Sequence, residues 1–274
     1  MTTLLYRTPE GPIVEISGAF FRVTEAWDEL FGYDDLEGHL RGIARAENKC
    51  DGPQTLLSPC HTQEVWAAGV TYFRSRTARM EESQNAGGGD FYDRVYDAVR
   101  PELFFKATPA RVIAPGGVMR LRKDSRWMVP EPELTLVVNR NNRIVGYTVG
   151  NDLSCRDIEG ENPLYLPQAK VFDGCAALGP GILVSNQPLP KSTAITLDIE
   201  RDGKTVAGGK TSLASLARDP ASLVEFLTRE MGFATGCFLM TGTGIVPPDD
   251  FTLKAGDSIR IRIDGIGELV NTVA

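Results

Sequence analysis

Apolar residues along this chain fall mostly at alternate positions or in short unbroken runs, the patterns of half-buried and fully buried strands. Strands are predicted at residues 11–16, 20–23, 64–72, 103–106, 134–138, 144–149, 195–200 and 258–263. Between several of them, Arg140-Asn-Asn-Arg143, Arg201-Asp-Gly-Lys204 and Asp264-Gly-Ile-Gly267 supply the Asn, Asp and Gly that hairpin bends require. Helical spacing is confined to residues 26–31, 36–47 and, best formed, 219–232. In the last, Asp219 is placed to cap the N-terminus, Pro220 takes the first helical position and Gly232 closes the helix. Residues 1–60 therefore read as a small N-terminal α/β domain, and the turn residues Asp51-Gly-Pro-Gln54 mark the boundary to a main domain at 61–274. The fold class is mixed α+β and rich in β. Residues 74–96 are charged and interrupted by Gly87-Gly-Gly89, which fits either a lid over a site or a solvated connection.

Composition narrows the functional classes. With 274 residues and 42% hydrophobic content the chain can fill a sizeable core, while 28 Gly and 17 Pro are too many breaks for a helical bundle. Its 29 Lys and Arg against 36 Asp and Glu give a net charge of −7, which repels phosphate backbones and argues against nucleic acid. No apolar run reaches the roughly 20 residues of a membrane span, and the first residues hold no signal-peptide core, so a cytoplasmic location is expected. Five cysteines without a CxxC pair read as buried thiols. Gly208-Gly-Lys-Thr211 imitates a phosphate-binding loop, but Lys204 stands where that motif needs glycine.

The chemistry concentrates at Glu131-Pro-Glu133. Residues two apart on a strand share a face, so both carboxylates point the same way. Alternation alone reads them as the wet face of a half-buried strand. An antiparallel returning strand, however, can place Asp152 within reach of them, in a polar cluster, Asn151-Asp-Leu-Ser-Cys-Arg-Asp157, expected to end that strand and open a ligand loop. Three facing carboxylates repel unless a cation neutralises them, and hard oxygen ligands select Mg²⁺, Mn²⁺ or Ca²⁺.

These residues resemble the fumarylacetoacetate hydrolase superfamily. The matching motifs are Glu131-Pro-Glu133, Gly146-Tyr147, the 151–157 cluster, Lys170, Leu178-Gly-Pro180 and Thr241-Gly-Thr-Gly-Ile-Val-Pro247, in the family's order over residues 64–270. The resemblance implies a rolled mixed β-sheet catalytic domain, a divalent ion (usually Mg²⁺) and a homo-oligomer, dimer or tetramer. It makes Glu131, Glu133 and Asp152 the metal ligands and Asp157 an outer or structural residue. One departure is informative. Family hydrolases and decarboxylases carry a His/Glu pair that activates water, where this chain has Thr71-Tyr-Phe-Arg-Ser75-Arg-Thr-Ala78, and His39 and His61 lie outside that motif.

In this respect the chain is similar to the 2-keto-3-deoxy-pentonate dehydratase branch, with which it shares the phrases at 96–108, 130–134 and 161–170. That branch implies substrate roles for Glu102, Lys170 and Thr243: proton transfer, a positive charge near the acid, and a hydrogen-bonding contact. Arg156, inside the signature, is a candidate to meet the substrate carboxylate, ahead of Arg74, Arg76 and Lys106. The expected reaction is Mg²⁺-dependent loss of water from a 2-dehydro-3-deoxy-pentonate to give 2,5-dioxopentanoate. The alternatives are C–C bond hydrolysis of a 1,3-diketo acid and a non-catalytic metal-stabilised binding protein.

Overall fold

The computed structural model describes residues 2–74 and 94–274. In chain order the strands are β1 (Thr3–Thr8), β2 (Gly11–Ile16), β3 (Ala19–Arg22), β4 (Lys49–Cys50), β5 (Glu64–Gly69), β6 (Glu102–Ala107), β7 (Val112–Ile113), β8 (Val118–Met119), β9 (Met128–Val138) and β10 (Ile144–Cys155). They continue with β11 (Ala176–Val184), β12 (Ala194–Arg201), β13 (Lys204–Ser212), β14 (Cys237–Met240), β15 (Ser258–Ile263) and β16 (Gly267–Val273). Helices are short: α1 (Trp27–Leu30), α2 (Leu36–Ile43), α3 (Arg156–Glu161), α4 (Leu166–Lys170) and α5 (Pro220–Thr228). Among the described residues no helix is long and apolar enough to cross a membrane.

Two sheets are stacked. The larger has the order β4-β3-β2-β1-β11-β10-β9-β14-β5-β6, with β7 beside β11; the smaller runs β13-β12-β15-β16-β8. Both are mixed, because β14 pairs with β5, β7 with β11 and β8 with β16 in parallel while the long hairpins are antiparallel. Alternation along β9 and β14 explains the layering. Leu136, Val138 and Leu239 face the small sheet and meet Ile195, Leu197, Ile259 and Ile261, while Val137 and Phe238 turn to the opposite face and meet Trp27, Leu30 and Phe31. A strand buried on both faces needs apolar residues at every position, which is why its core reads as an unbroken run. Strands β1 to β4 extend the large sheet through β1 against β11, with Leu4 opposite Leu183, and α1 and α2 close over its face.

The hairpin predictions hold. The β12–β13 turn has Asp202 and Gly203 both at positive φ, 51° and 73°, as a two-residue bend requires. Asp219 caps α5 by accepting from the Ala221 amide, but the helix stops at Thr228, one turn before the predicted Gly232. The larger correction is β10. Its polar end stays in the sheet to Cys155, paired residue by residue with β9, and α3 starts at once at Arg156, so the 151–157 cluster is strand and helix, not a ligand loop. The predicted surface excursion, residues 74–96, lies outside the described residues apart from its ends.

Candidate active site

Two prolines in a central strand open the site. Strand β14 pairs β9 only along Thr135–Val138, so the stretch holding Pro130 and Pro132 has β10 on one side and no strand from β14 on the other, where their missing N–H groups cost no ladder bond. Beyond Met240 the chain turns through Thr241-Gly-Thr243 across this gap. The Thr241 amide donates to the Leu134 carbonyl at 3.0 Å and the Gly242 amide to Glu133 Oε2 at 2.5 Å. The cavity so formed is lined by Gly69, Phe104, the β9 and β10 carboxylates, Arg156, Lys170 and Thr243.

Register places the acids. Glu131 lies opposite Asp152 and Glu133 opposite Gly150. One oxygen from each of Glu131, Glu133 and Asp152 lies within 4.8 Å of the others, and all three residues are buried. Cations gather around two of them. Lys170, at the end of α4, sets its ammonium 2.7 Å from Glu131 Oε2, 3.2 Å from Asp152 Oδ2 and 2.6 Å from Ser154 Oγ, and Arg156 reaches Glu131 Oε1 at 2.7 Å. Lys106 meets Asp152 Oδ1 at 2.5 Å. Glu133 is left out: among the described residues no ammonium or guanidinium comes within 4 Å of it. Burial first, then the charges of Asp152 and Glu131, raise its carboxyl well above the usual range, against Lys170 and the Gly242 amide.

A divalent cation fits these residues. Among the described residues no cation pairs with Glu133, and it lies beside two further buried carboxylates within ligand distance. An all-carboxylate donor set suits a hard ion such as Mg²⁺.

The predicted residues are thus largely brought together. Glu131, Glu133, Asp152, Arg156, Lys170 and Thr243 all line one cavity. Arg156 is engaged by Glu131, and the Thr243 hydroxyl bonds both backbone groups of Ile245 at 3.2 Å, so its wall position is firm while its hydroxyl is already in use. Glu102 stands at the rim. It pairs across the sheet with Gly69, and a β-carbon added to Gly69 would fall 1.9 Å from Glu102 Oε2, so the carboxylate rests against the bare α-carbon. Glu102, Phe104 and Lys106 alternate on one face of β6; since Phe104 lines the cavity and Lys106 reaches Asp152, that face is turned to the site. Asp157 takes the structural place, accepting from Ser125 Oγ at 2.6 Å and the Arg126 amide at 2.7 Å. Both histidines are elsewhere: His39 bonds Glu25 and stacks on Tyr33, and His61 bonds Asp28.

Sequence reasoning ranked Lys106 too low and missed Ser154 and Glu159. Spacing held the signal: Lys106 is four residues from Glu102 on one strand, and Ser154 two from Asp152.

Residues 64–274 match the model of the fumarylacetoacetate (FAA) hydrolase C-terminal domain. The chain belongs to the fumarylacetoacetate hydrolase family. Within it, a "Probable 2-keto-3-deoxyxylonate dehydratase" of Haloferax volcanii is 48% identical over 216 residues, covering 78% of this chain and 73% of the relative. A 2-dehydro-3-deoxy-D-arabinonate dehydratase of Saccharolobus solfataricus is 42% identical over 220 residues, covering 80% and 74%. Among solved structures, a 2-keto-3-deoxyarabinonate dehydratase in a hexagonal crystal form superposes with a TM-score of 0.86 at 34% identity, covering 100% of this chain and 99% of that one. A 2-keto-3-deoxy-D-arabinonate dehydratase complexed with magnesium and 2,5-dioxopentanoate gives 0.84 at 33% identity, covering 100% and 98%.

Proposed function

We propose that this family member is a Mg²⁺-dependent dehydratase that converts a 2-dehydro-3-deoxy-pentonate to 2,5-dioxopentanoate and water. The observation that carries the reading is the buried Glu131, Glu133 and Asp152 trio beside Lys170 and Glu102 in a chain 42% and 48% identical to dehydratases of such acids. Glu131, Glu133 and Asp152 hold the ion. When bound, it draws electron density from the oxygens of the 2-oxo acid and makes the C3 protons acidic.

The protein supplies the rest. Glu102, on the cavity side of β6, takes a C3 proton and, once protonated, returns it to the departing C4 hydroxyl, so one side chain serves as base and acid. The C3–C4 double bond so formed shifts to C4–C5 as a C5 proton leaves and one returns to C3, and the resulting enol tautomerises to the C5 aldehyde, C4 gaining a proton as the hydroxyl loses one. Lys170 and Arg156 place positive charge where the carboxylate and developing oxyanion need it. Thr243 holds the wall of the cavity and contacts the substrate. In this reading residues 61–274 form the catalytic part and residues 1–60 a cover on the sheet, and the enzyme works as a cytoplasmic homo-oligomer, a dimer or tetramer.

Hydrolysis of a 1,3-diketo acid is the weaker reading, because neither histidine of the chain is near the cavity to activate water. Incubation with Mg²⁺ and either D- or L-2-dehydro-3-deoxy-pentonates or acylpyruvates separates the two. Appearance of 2,5-dioxopentanoate supports the proposal, and cleavage of acylpyruvates with inert pentonates reverses it. Silence toward both, with Mg²⁺ still raising Tm, leaves a metal-stabilised binding protein.

Gly69→Ala tests the placement of Glu102. The new methyl meets the end of a flexible side chain, not backbone, so the fold is expected to hold within ~1 kcal/mol while the displaced carboxylate lowers kcat at least tenfold. Calorimetric Mg²⁺ affinity should not change; unaltered kcat would place the working carboxylate elsewhere.

A further inference from the structure

Lys106 is buried with no exposed surface, on a strand that supplies none of the three carboxylates. A lysine is almost never fully buried unless its charge and its donors are answered. Here its ammonium has three partners on two other elements: Asp152 Oδ1 at 2.5 Å, the Leu153 carbonyl at 3.1 Å and the Lys170 carbonyl at 2.5 Å. The Phe172 ring centroid lies 5.7 Å away and closes the remaining side. An ammonium has three protons, so its capacity is filled.

The partners have a common consequence. Asp152 and Leu153 are neighbours on β10, and Lys170 ends α4 with its own ammonium turned back onto Glu131 and Asp152. A carbonyl at a helix C-terminus carries partial negative charge and lacks an intrahelical donor, so a cation there is favoured. Lys106 therefore pins the end of α4 to the β10 carboxylate from beneath. The Lys170 side chain and the Asp152 carboxylate, which belong to separate elements, are held at one spacing by a third.

We propose that Lys106 is a positioning residue: it fixes Asp152 for the metal and Lys170 for the substrate without touching either ligand. The inference rests on the dehydratase reading for its kinetic test, though not for its binding test. A lysine that merely fills the core alters stability when replaced. A positioning lysine also alters metal affinity and the chemical step in molecules that remain folded.

Lys106→Met keeps the length of the chain and removes all three bonds; Lys106→Gln keeps amide donors for the two carbonyls but no charge for Asp152. For folded Lys106→Met we expect Mg²⁺ affinity by calorimetry to fall about tenfold and kcat about 100-fold, with KM altered less than threefold. Lys106→Gln should recover part of kcat. Parental kcat and Mg²⁺ affinity in either folded variant, whatever its Tm, would overturn the proposal. Should neither fold, a crystal structure of the parent with Mg²⁺ decides: the ammonium within hydrogen-bond distance of Asp152 and the Lys170 carbonyl supports it, and an ammonium withdrawn from both overturns it. A parent inert toward pentonates, with the loss of Mg²⁺ affinity still seen, would sink the dehydratase assignment and leave Lys106 as the positioner of Asp152.

Discussion

Replacing Glu102 with glutamine is expected to lower kcat on a 2-dehydro-3-deoxy-pentonate about 1,000-fold, within the 10²–10⁴-fold range of a proton-transfer group. That is about 4 kcal/mol of barrier. The side chains match in shape, and an amide still rests against Gly69, so Tm and Mg²⁺ affinity should stay close to those of the parent. The separation of effects follows from where Glu102 sits. It is on β6, across the sheet from Gly69, and is not among the three acids whose oxygens converge. Removing its charge therefore leaves the trio intact and takes away only the group that accepts and returns a proton. Solvent-deuterium exchange at C3, followed by NMR, sharpens the test: a parent that exchanges C3 protons and a variant that does not assigns the first proton transfer to Glu102. A variant with near-normal turnover would remove it from the mechanism, and Lys170, whose ammonium also faces the cavity, would become the candidate for that transfer.

How much of this was readable before folding depends on the distance each feature spans. The trio was legible because its logic is local: period-two spacing sets Glu131 and Glu133 on one face, and one hairpin returns Asp152 to them. The end of β10 was misread because polar residues in a central strand look like a loop until their partners are known. Asp152 and Ser154 are fully buried there because Lys170 and Lys106 arrive from elements distant in sequence. Lys106 was ranked low for the same reason: most lysines are exposed, and nothing near it in sequence announces the three acceptors around it. Strand β11 escaped notice because Gly179-Pro180-Gly181 interrupts it, and β13 because it is an edge strand, largely exposed and so without alternation. The helix at 220–228 was read correctly at its N-terminus, where Asp219 and Pro220 act locally, and one turn too long at its C-terminus, where no capping contact was there to be read.

Glu133→Gln should separate metal binding from stability in opposite directions. Loss of an outer hydrogen-bond partner of a metal ligand typically weakens binding ~10–100-fold, so removing a ligand's charge should weaken Mg²⁺ binding by about 1,000-fold. Without metal, however, the substitution replaces a buried carboxylate that pairs with no cation among the described residues and is opposed by Asp152 and Glu131. An amide oxygen can still accept from Gly242, so the metal-free variant should melt at or above the parent's Tm while the stabilisation by Mg²⁺ disappears. The pH dependence has a definite sign. Because the folded carboxyl titrates above its unfolded range, the folded parent holds more protons than the unfolded chain between those two values. The contribution of Glu133 to metal-free stability is therefore fully present below the ordinary carboxylate range and is lost as pH rises through the window up to the raised value; the glutamine variant lacks that loss. Cation binding must expel the same proton, so the parent's Mg²⁺ affinity drops as pH falls, and calorimetry in buffers of different ionisation enthalpy should register proton release from the parent and less from the variant. Equal Mg²⁺ affinity in the two proteins would show that the ion is held somewhere other than between these three carboxylates, and with it would go the electronic basis for acidifying C3.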